Sequence, residues 1–115
     1  MPYIQTDIAA EFRECAAQAD KCLHANDQAE PETMAAYRHD ECLGERFVYD
    51  FLTAQPYLRN RATLVSELQW IRDADVPAPA NAISARRFQD SRFCVAKGLL
   101  RRFQFASDPV APVAA

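Results

Sequence analysis

The sequence predicts an all-α fold, a compact four-helix bundle in a single domain. Apolar residues recur at helical spacing in four separate segments. Glycine is nearly absent, with 2 residues among 115, and an antiparallel β fold would need more of them at its tight turns. The chain is 50% hydrophobic and 25% charged, which is typical of a globular domain and excludes a disordered one.

The first helix is predicted over about residues 7–25. Thr6 or Asp7 is its expected N-cap, since both side chains can accept a hydrogen bond from the first turn. At about 100° per residue, one arc of this helix is apolar and should face the core. That arc comprises Ile8, Phe12, Cys15, Ala19, Cys22 and Leu23.

The second helix is expected to carry Pro31 in its first turn and to end before Pro56, which cannot continue it. Its apolar arc is broad, which indicates a central helix with two or more neighbours. Gly44 lies within that arc and predicts the close approach of another helix, because glycine is otherwise costly in a helix interior. The arc comprises Ala36, Leu43, Phe47 and Phe51 on one side, and Met34, Tyr37, Val48 and Leu52 on the other.

The third and fourth helices are expected over about residues 60–73 and 84–105, with Ser84 as the N-cap of the fourth. The loop between them contains two prolines and should be stiff. Residues 107–115 lack periodicity and contain two further prolines, so we expect one helical domain, 1–106, and a disordered tail, 107–115. The inward positions are Leu64, Val65, Leu68 and Ile71, then Phe88, Val95, Ala96, Leu99, Leu100 and Phe103.

The charge distribution is strongly polarised along the chain. Residues 1–58 contain four basic and eleven acidic side chains, whereas residues 59–115 contain nine basic and five acidic ones. The two parts therefore carry net charges of −7 and +4. This pattern allows the acidic helices to lie beside the basic fourth helix, and the sequence leaves open whether they do.

The fourth helix presents a basic face that could bind phosphate groups. The same face could instead be exposed to solvent, or it could form ion pairs with the acidic part of the chain. An overall acidic domain disfavours nucleic-acid binding, so that function is the alternative. The candidate residues are Arg86, Arg87, Lys97, Arg101 and Arg102.

Two charged residues fall on apolar helix faces, Asp40 on the second helix and Arg92 on the fourth. A buried charge is costly unless it is paired or reaches water. We therefore expect Asp40 and Arg92 to meet, or one of them to lie at an oligomer interface. The alternative is that Arg92 extends its guanidinium past the helix edge to solvent.

Two aromatic residues are expected to point outward, where Tyr and Trp serve as anchors in protein interfaces. Tyr49 falls outside the apolar arc of the second helix, on a face shared with His39 and Arg46. Trp70 lies about 100° from the inner arc of the third helix. The alternative for Tyr49, which the sequence favours, is ordinary partial exposure with no role in binding. The alternative for Trp70 is packing against the prolines of the following loop.

The four cysteines, Cys15, Cys22, Cys42 and Cys94, are expected to be reduced. The chain lacks the character of a secreted disulfide scaffold, and the predicted faces place Cys42 away from Cys15 and Cys22. Their spacing does not suit a zinc site. We therefore expect no metal, no cofactor and no catalytic site.

The sequence favours a small non-enzymatic protein that binds another protein, as an adaptor, inhibitor or regulatory subunit. A basic or nucleic-acid-binding partner would suit the acidic part of the chain. Self-association and nucleic-acid binding stay open as alternatives. No apolar run approaches the length of a membrane span, and no secretory signal is recognisable, so we expect a cytoplasmic protein without membrane contact.

Overall fold

The computed structural model describes residues 3–54 and 61–104. Four helices, and no strand, lie within these ranges, which confirms the predicted all-α bundle. None of the four is long and apolar enough to cross a membrane. The predicted tail, 107–115, lies outside the described residues, and so does Pro56. The second helix ends at Thr53 with Ala54 as its C-cap, which confirms the predicted end before Pro56 to within one residue. The helices are α1 (Tyr3–Ala25), α2 (Met34–Thr53), α3 (Arg61–Asp73) and α4 (Ala85–Gln104).

Two of the four predicted helix starts are wrong, and the start of α3 at Arg61 agrees with the predicted one to within a residue. α1 begins at Tyr3, four residues before the predicted start. α2 begins at Met34 rather than Pro31, because the Thr33 hydroxyl accepts a hydrogen bond from the Ala36 amide at 3.2 Å and caps the first turn. The start of α4 is confirmed, since the Ser84 hydroxyl accepts from the amide of residue 87 at 3.3 Å.

α2 is the central helix and packs against both α1 and α4, while α3 packs against α4. The predicted apolar arcs meet in one main core and a smaller cluster beneath the 74–84 loop. The main core comprises Ile8, Phe12, Val48, Leu52, Leu64, Leu68, Ile71, Ala96, Leu99, Leu100 and Phe103. The smaller cluster comprises Leu23, Cys42, Leu43, Val76 and Phe88.

Gly44 lies where α2 and α4 cross, as the sequence predicts. A Cβ atom at this position would lie 2.5 Å from Ser91 Cβ and 2.7 Å from the Arg92 backbone nitrogen. Both distances are shorter than van der Waals contact, and one involves backbone that cannot rotate away. Only glycine therefore permits α2 and α4 to pack this closely.

Cys22 and Cys42 form a disulfide bond that links α1 to α2, so the expectation of four reduced cysteines is wrong. α1 covers the face of α2 that carries Cys42, which is fully buried there. The two Cα atoms lie 6.2 Å apart, within the usual range for a disulfide. Cys15 is half-buried and Cys94 is exposed, and both are free thiols.

Arg92 is buried but does not meet Asp40, which corrects the predicted pair. Its guanidinium instead reaches the C-terminal end of α3, where it donates to the carbonyl oxygens of Ile71 and Arg72. Its Nε also donates to Gln89 Oε1 at 2.9 Å. Arg92 thus caps α3, placing a positive charge at the negative end of a helix dipole.

Substitution of the two glycines by alanine should have opposite effects on stability. Gly44→Ala forces α2 and α4 apart and should cost about 2 kcal/mol. Gly98 lies in α4 with nothing near an added Cβ, so Gly98→Ala should stabilise the protein by about 1 kcal/mol through helix propensity. Urea denaturation of both variants checks this. Equal effects of the two changes would contradict the described packing.

Removal of the disulfide should destabilise the fold by about 3 kcal/mol, because the bond closes a loop spanning 20 residues. We expect Cys22→Ser/Cys42→Ser to lower the free energy of unfolding by this amount. The same loss should appear when reductant is added to the native protein and should be absent when it is added to the double variant. Cys94→Ser is the matched control. A native stability indifferent to reductant would rule the bond out.

Candidate functional site

A buried carboxylate on α2 fixes the start of α4. Asp40 is fully buried and accepts hydrogen bonds from the backbone amides of Ile83 at 2.9 Å and Ser84 at 2.8 Å. Its carboxylate also accepts from Arg87 Nε at 3.1 Å and lies 3.1 Å from His39 Nδ1. Asp40 thereby holds the last loop residues and the first turn of α4 on the surface of α2. The acidic second helix and the basic fourth helix are therefore in contact, which is one of the arrangements that the sequence leaves open.

The ionised form of Asp40 is favoured in the folded protein. Burial alone would raise its pKa, but the hydrogen bonds from Ile83, His39, Ser84 and Arg87 together outweigh that effect. The net result is a pKa below the ordinary value of an aspartate. Asp40 therefore contributes stability in its charged state.

Arg87 connects the buried carboxylate to an open groove between α2 and α4. Its guanidinium carbon lies 4.1 Å from the centroid of the Tyr37 ring, in a cation–π contact. The groove has a volume of about 530 Å³. Its lining residues are Met34, Tyr37, Glu41, Glu45, Arg87, Asp90, Ser91, Cys94 and Val95.

The mouth of this α2/α4 groove is apolar. Met34 is 81% exposed and Tyr37 is 48% exposed, although the sequence placed both in the buried arc of α2. They lie in the first turn of α2, and both line the groove. Large apolar side chains held in solvent beside a groove are typical of interaction surfaces. Sequence periodicity missed them because it gives a direction and not the reach of the neighbouring helices.

The lining of the α2/α4 groove is acidic. Glu41, Glu45 and Asp90 line it, and its one cation, Arg87, is already paired with Asp40. The nearest cations to the three carboxylates are Arg38 for the glutamates, at 3.6 and 3.7 Å, and Arg86 for Asp90, at 3.9 Å. Exposed pairs of this kind are weak. Burial raises the pKa of Glu45, so a cation brought by a ligand would stabilise its charge.

Tyr49 is not the outward anchor that the sequence suggested. It is partly buried against the main core, with its ring 5.8 Å from that of Phe12. It lines a second groove, of about 540 Å³ between α1 and α2, together with Cys15. Burial, together with the neighbouring Cys15, raises the pKa of Tyr49 to about 12. His39 is buried as well, because α1 and the 74–84 loop cover this side of α2.

Trp70 is 50% exposed, as predicted for an outward residue. Its ring stacks on Phe51 of α2, with centroids 5.0 Å apart and planes inclined by 16°. One face of the ring is therefore used within the fold. Trp70 does not line the α2/α4 groove, so the structure does not bring it together with Met34 and Tyr37.

The five basic residues proposed on α4 divide into two groups. Arg87 pairs with Asp40, and Arg102 pairs with Glu11 of α1, where Nη2 and Oε1 lie 2.9 Å apart. Arg86, Lys97 and Arg101 remain exposed. Two residues of the basic face thus form ion pairs within the fold, of which Arg102 is still exposed, and the other three lie at the surface.

The described residues contain no group of three or more His, Cys, Asp or Glu side chains arranged to hold a metal ion. Comparison of the chain with models of protein families, with curated proteins and with solved structures found no match.

Replacement of Asp40 by asparagine should destabilise the fold by about 3 kcal/mol at neutral pH, because it leaves Arg87 without its charged partner. The lowered pKa of Asp40 means that its contribution is present above the unfolded pKa, near 4, and is lost as pH falls through the folded pKa. Stability of the native protein should thus fall on acidification, and Asp40→Asn should remove part of that dependence. Thermal unfolding between neutral pH and about pH 2 checks this. Parallel pH profiles would contradict it.

Proposed function

We propose that the protein is a non-enzymatic adaptor, inhibitor or regulatory subunit that binds a segment of another protein in the α2/α4 groove. The observation that supports this most is the pair of exposed apolar side chains, Met34 and Tyr37, at the mouth of an acidic groove. Methionine adapts its shape to a partner, which suits it to binding surfaces. Exposed apolar residues in this arrangement are more typical of a protein interface than of a surface that contacts only solvent.

The charges of the groove indicate the chemistry of the partner segment. Glu41, Glu45 and Asp90 would favour lysine or arginine, and Met34 and Tyr37 would cover an apolar side chain. A segment with one or two apolar residues flanked by basic ones fits both features. Charge complementarity of this kind speeds association and excludes acidic competitors.

A photo-reactive phenylalanine analogue in place of Met34 tests the proposal, since position 34 is exposed at the groove mouth. After irradiation in host lysate, mass spectrometry should identify one cross-linked segment that contains apolar and basic residues. We expect Glu41→Lys/Asp90→Lys to abolish this product, because the reversed charges repel the segment. Glu14→Lys/Asp27→Lys applies the same charge change away from the groove and should leave the product intact.

Three outcomes would contradict the proposal. The cross-linked segment could be acidic, the product could survive the reversal of Glu41 and Asp90, or no product could form. Cross-linking to a second copy of the chain would replace the proposed partner by self-association. Circular dichroism of each variant confirms that the helices are retained.

A further inference from the structure

A second surface runs along α4, outside the α2/α4 groove. Its side chains are Arg86, Phe93, Lys97 and Arg101, and all four are exposed. At about 100° per residue they fall within roughly 80° of one another on the helix. The strip is about 22 Å long, at about 1.5 Å per residue. We name these four residues the basic strip.

Phe93 is the unusual member of the basic strip. The other phenylalanines of α4, Phe88 and Phe103, are buried, whereas Phe93 leaves 42% of its surface in water. The ammonium group of Lys97 lies 5.8 Å from the centroid of its ring. An exposed aromatic ring between cations is the combination that binds an unpaired nucleic-acid base together with its flanking phosphates.

The cations of the basic strip are available to a ligand. Neither Lys97 nor Arg101 forms an ion pair with any residue that the structure describes. The Arg86 side chain is 90% exposed. Its Nε lies 3.9 Å from Asp90 Oδ2, which makes a weak surface ion pair. Asp90 lies within the same sector of α4 and is the one acidic side chain there, so it opposes an anionic ligand.

A lipid surface fits the basic strip less well than a single-stranded nucleic acid does. An interfacial helix inserts a broad apolar face, and the apolar face of α4 is buried in the core, which leaves only Phe93. A duplex fits poorly as well, because its bases are already stacked and could not use the ring. An unpaired base on Phe93, with phosphates on Arg86, Lys97 and Arg101, uses every member of the strip.

We propose that the basic strip binds a short single-stranded nucleic acid, with one base stacked on Phe93 and phosphates held by Arg86, Lys97 and Arg101. This activity is distinct from the proposed binding of a protein segment, because none of the four residues of the strip lines the α2/α4 groove. The two surfaces are neighbours on α4, with Asp90 between them.

Fluorescence anisotropy tests the proposal, with the protein titrated into a labelled single-stranded oligonucleotide of about eight nucleotides. Three phosphate contacts should give a slope of about −2 for the logarithm of the affinity against that of salt concentration. Phe93→Ser should weaken binding about tenfold, and Phe93→Trp should restore or strengthen it. Arg101→Gln should weaken binding and reduce the magnitude of the slope by about 0.7.

Two further variants separate local contacts from net charge. Arg13→Gln removes an exposed charge from α1 and should leave affinity and slope unchanged, whereas Asp90→Asn should tighten binding. Absence of binding at low salt would overturn the proposal, and so would an affinity indifferent to Phe93→Ser. Binding of vesicles containing anionic lipid in preference to the oligonucleotide would overturn it in favour of a membrane surface.

Discussion

The arrangement of the bundle depends on one buried carboxylate. Asp40 accepts two backbone hydrogen bonds from the end of the 74–84 loop and a charged one from Arg87. These bonds fix where α4 starts on α2, and Gly44 then sets how closely the two helices pack. The α2/α4 groove is a consequence, because its walls are the helix turns that flank these contacts. A buried charge is costly in isolation, but here the hydrogen bonds from Ile83, Ser84 and Arg87 join it to elements distant in sequence, so it selects one packing of the helices.

The sequence was sufficient for the fold because helical periodicity reports which side of each helix is apolar. Phe12, Leu68 and Phe103 were placed in the core on that basis and are buried there. Long-range partners were out of reach, since a helical wheel gives a direction without naming the neighbour. Asp40 and Arg92 were both recognised as costly charges, yet each found partners on a different element. The disulfide was missed for the same reason, because the packing of α1 on α2 buries the face that carries Cys42.

The surface was only partly predictable. Seven binding residues are inferred from the sequence. Two of them, Tyr49 and Arg87, form contacts within the fold. The other five are exposed to solvent: Trp70, Arg86, Lys97, Arg101 and Arg102. Met34 and Phe93 were not proposed for binding, because one belonged to an apolar arc and the other to a basic helix. Their exposure follows from where the neighbouring helices end. The structure therefore shifts the proposed protein contact to the α2/α4 groove and leaves the basic strip as a separate surface.

Hydrogen exchange at the backbone amides of Ile83 and Ser84 tests the role of Asp40 most directly. Both amides precede the first residue of α4, so helix formation alone does not protect them. If the Asp40 carboxylate holds them, they should exchange as slowly as the core amides of α4, because they would open only with the helix itself. Exchange at the rate of an exposed loop, in a protein whose α4 amides are protected, would show that α4 is held on α2 by other contacts.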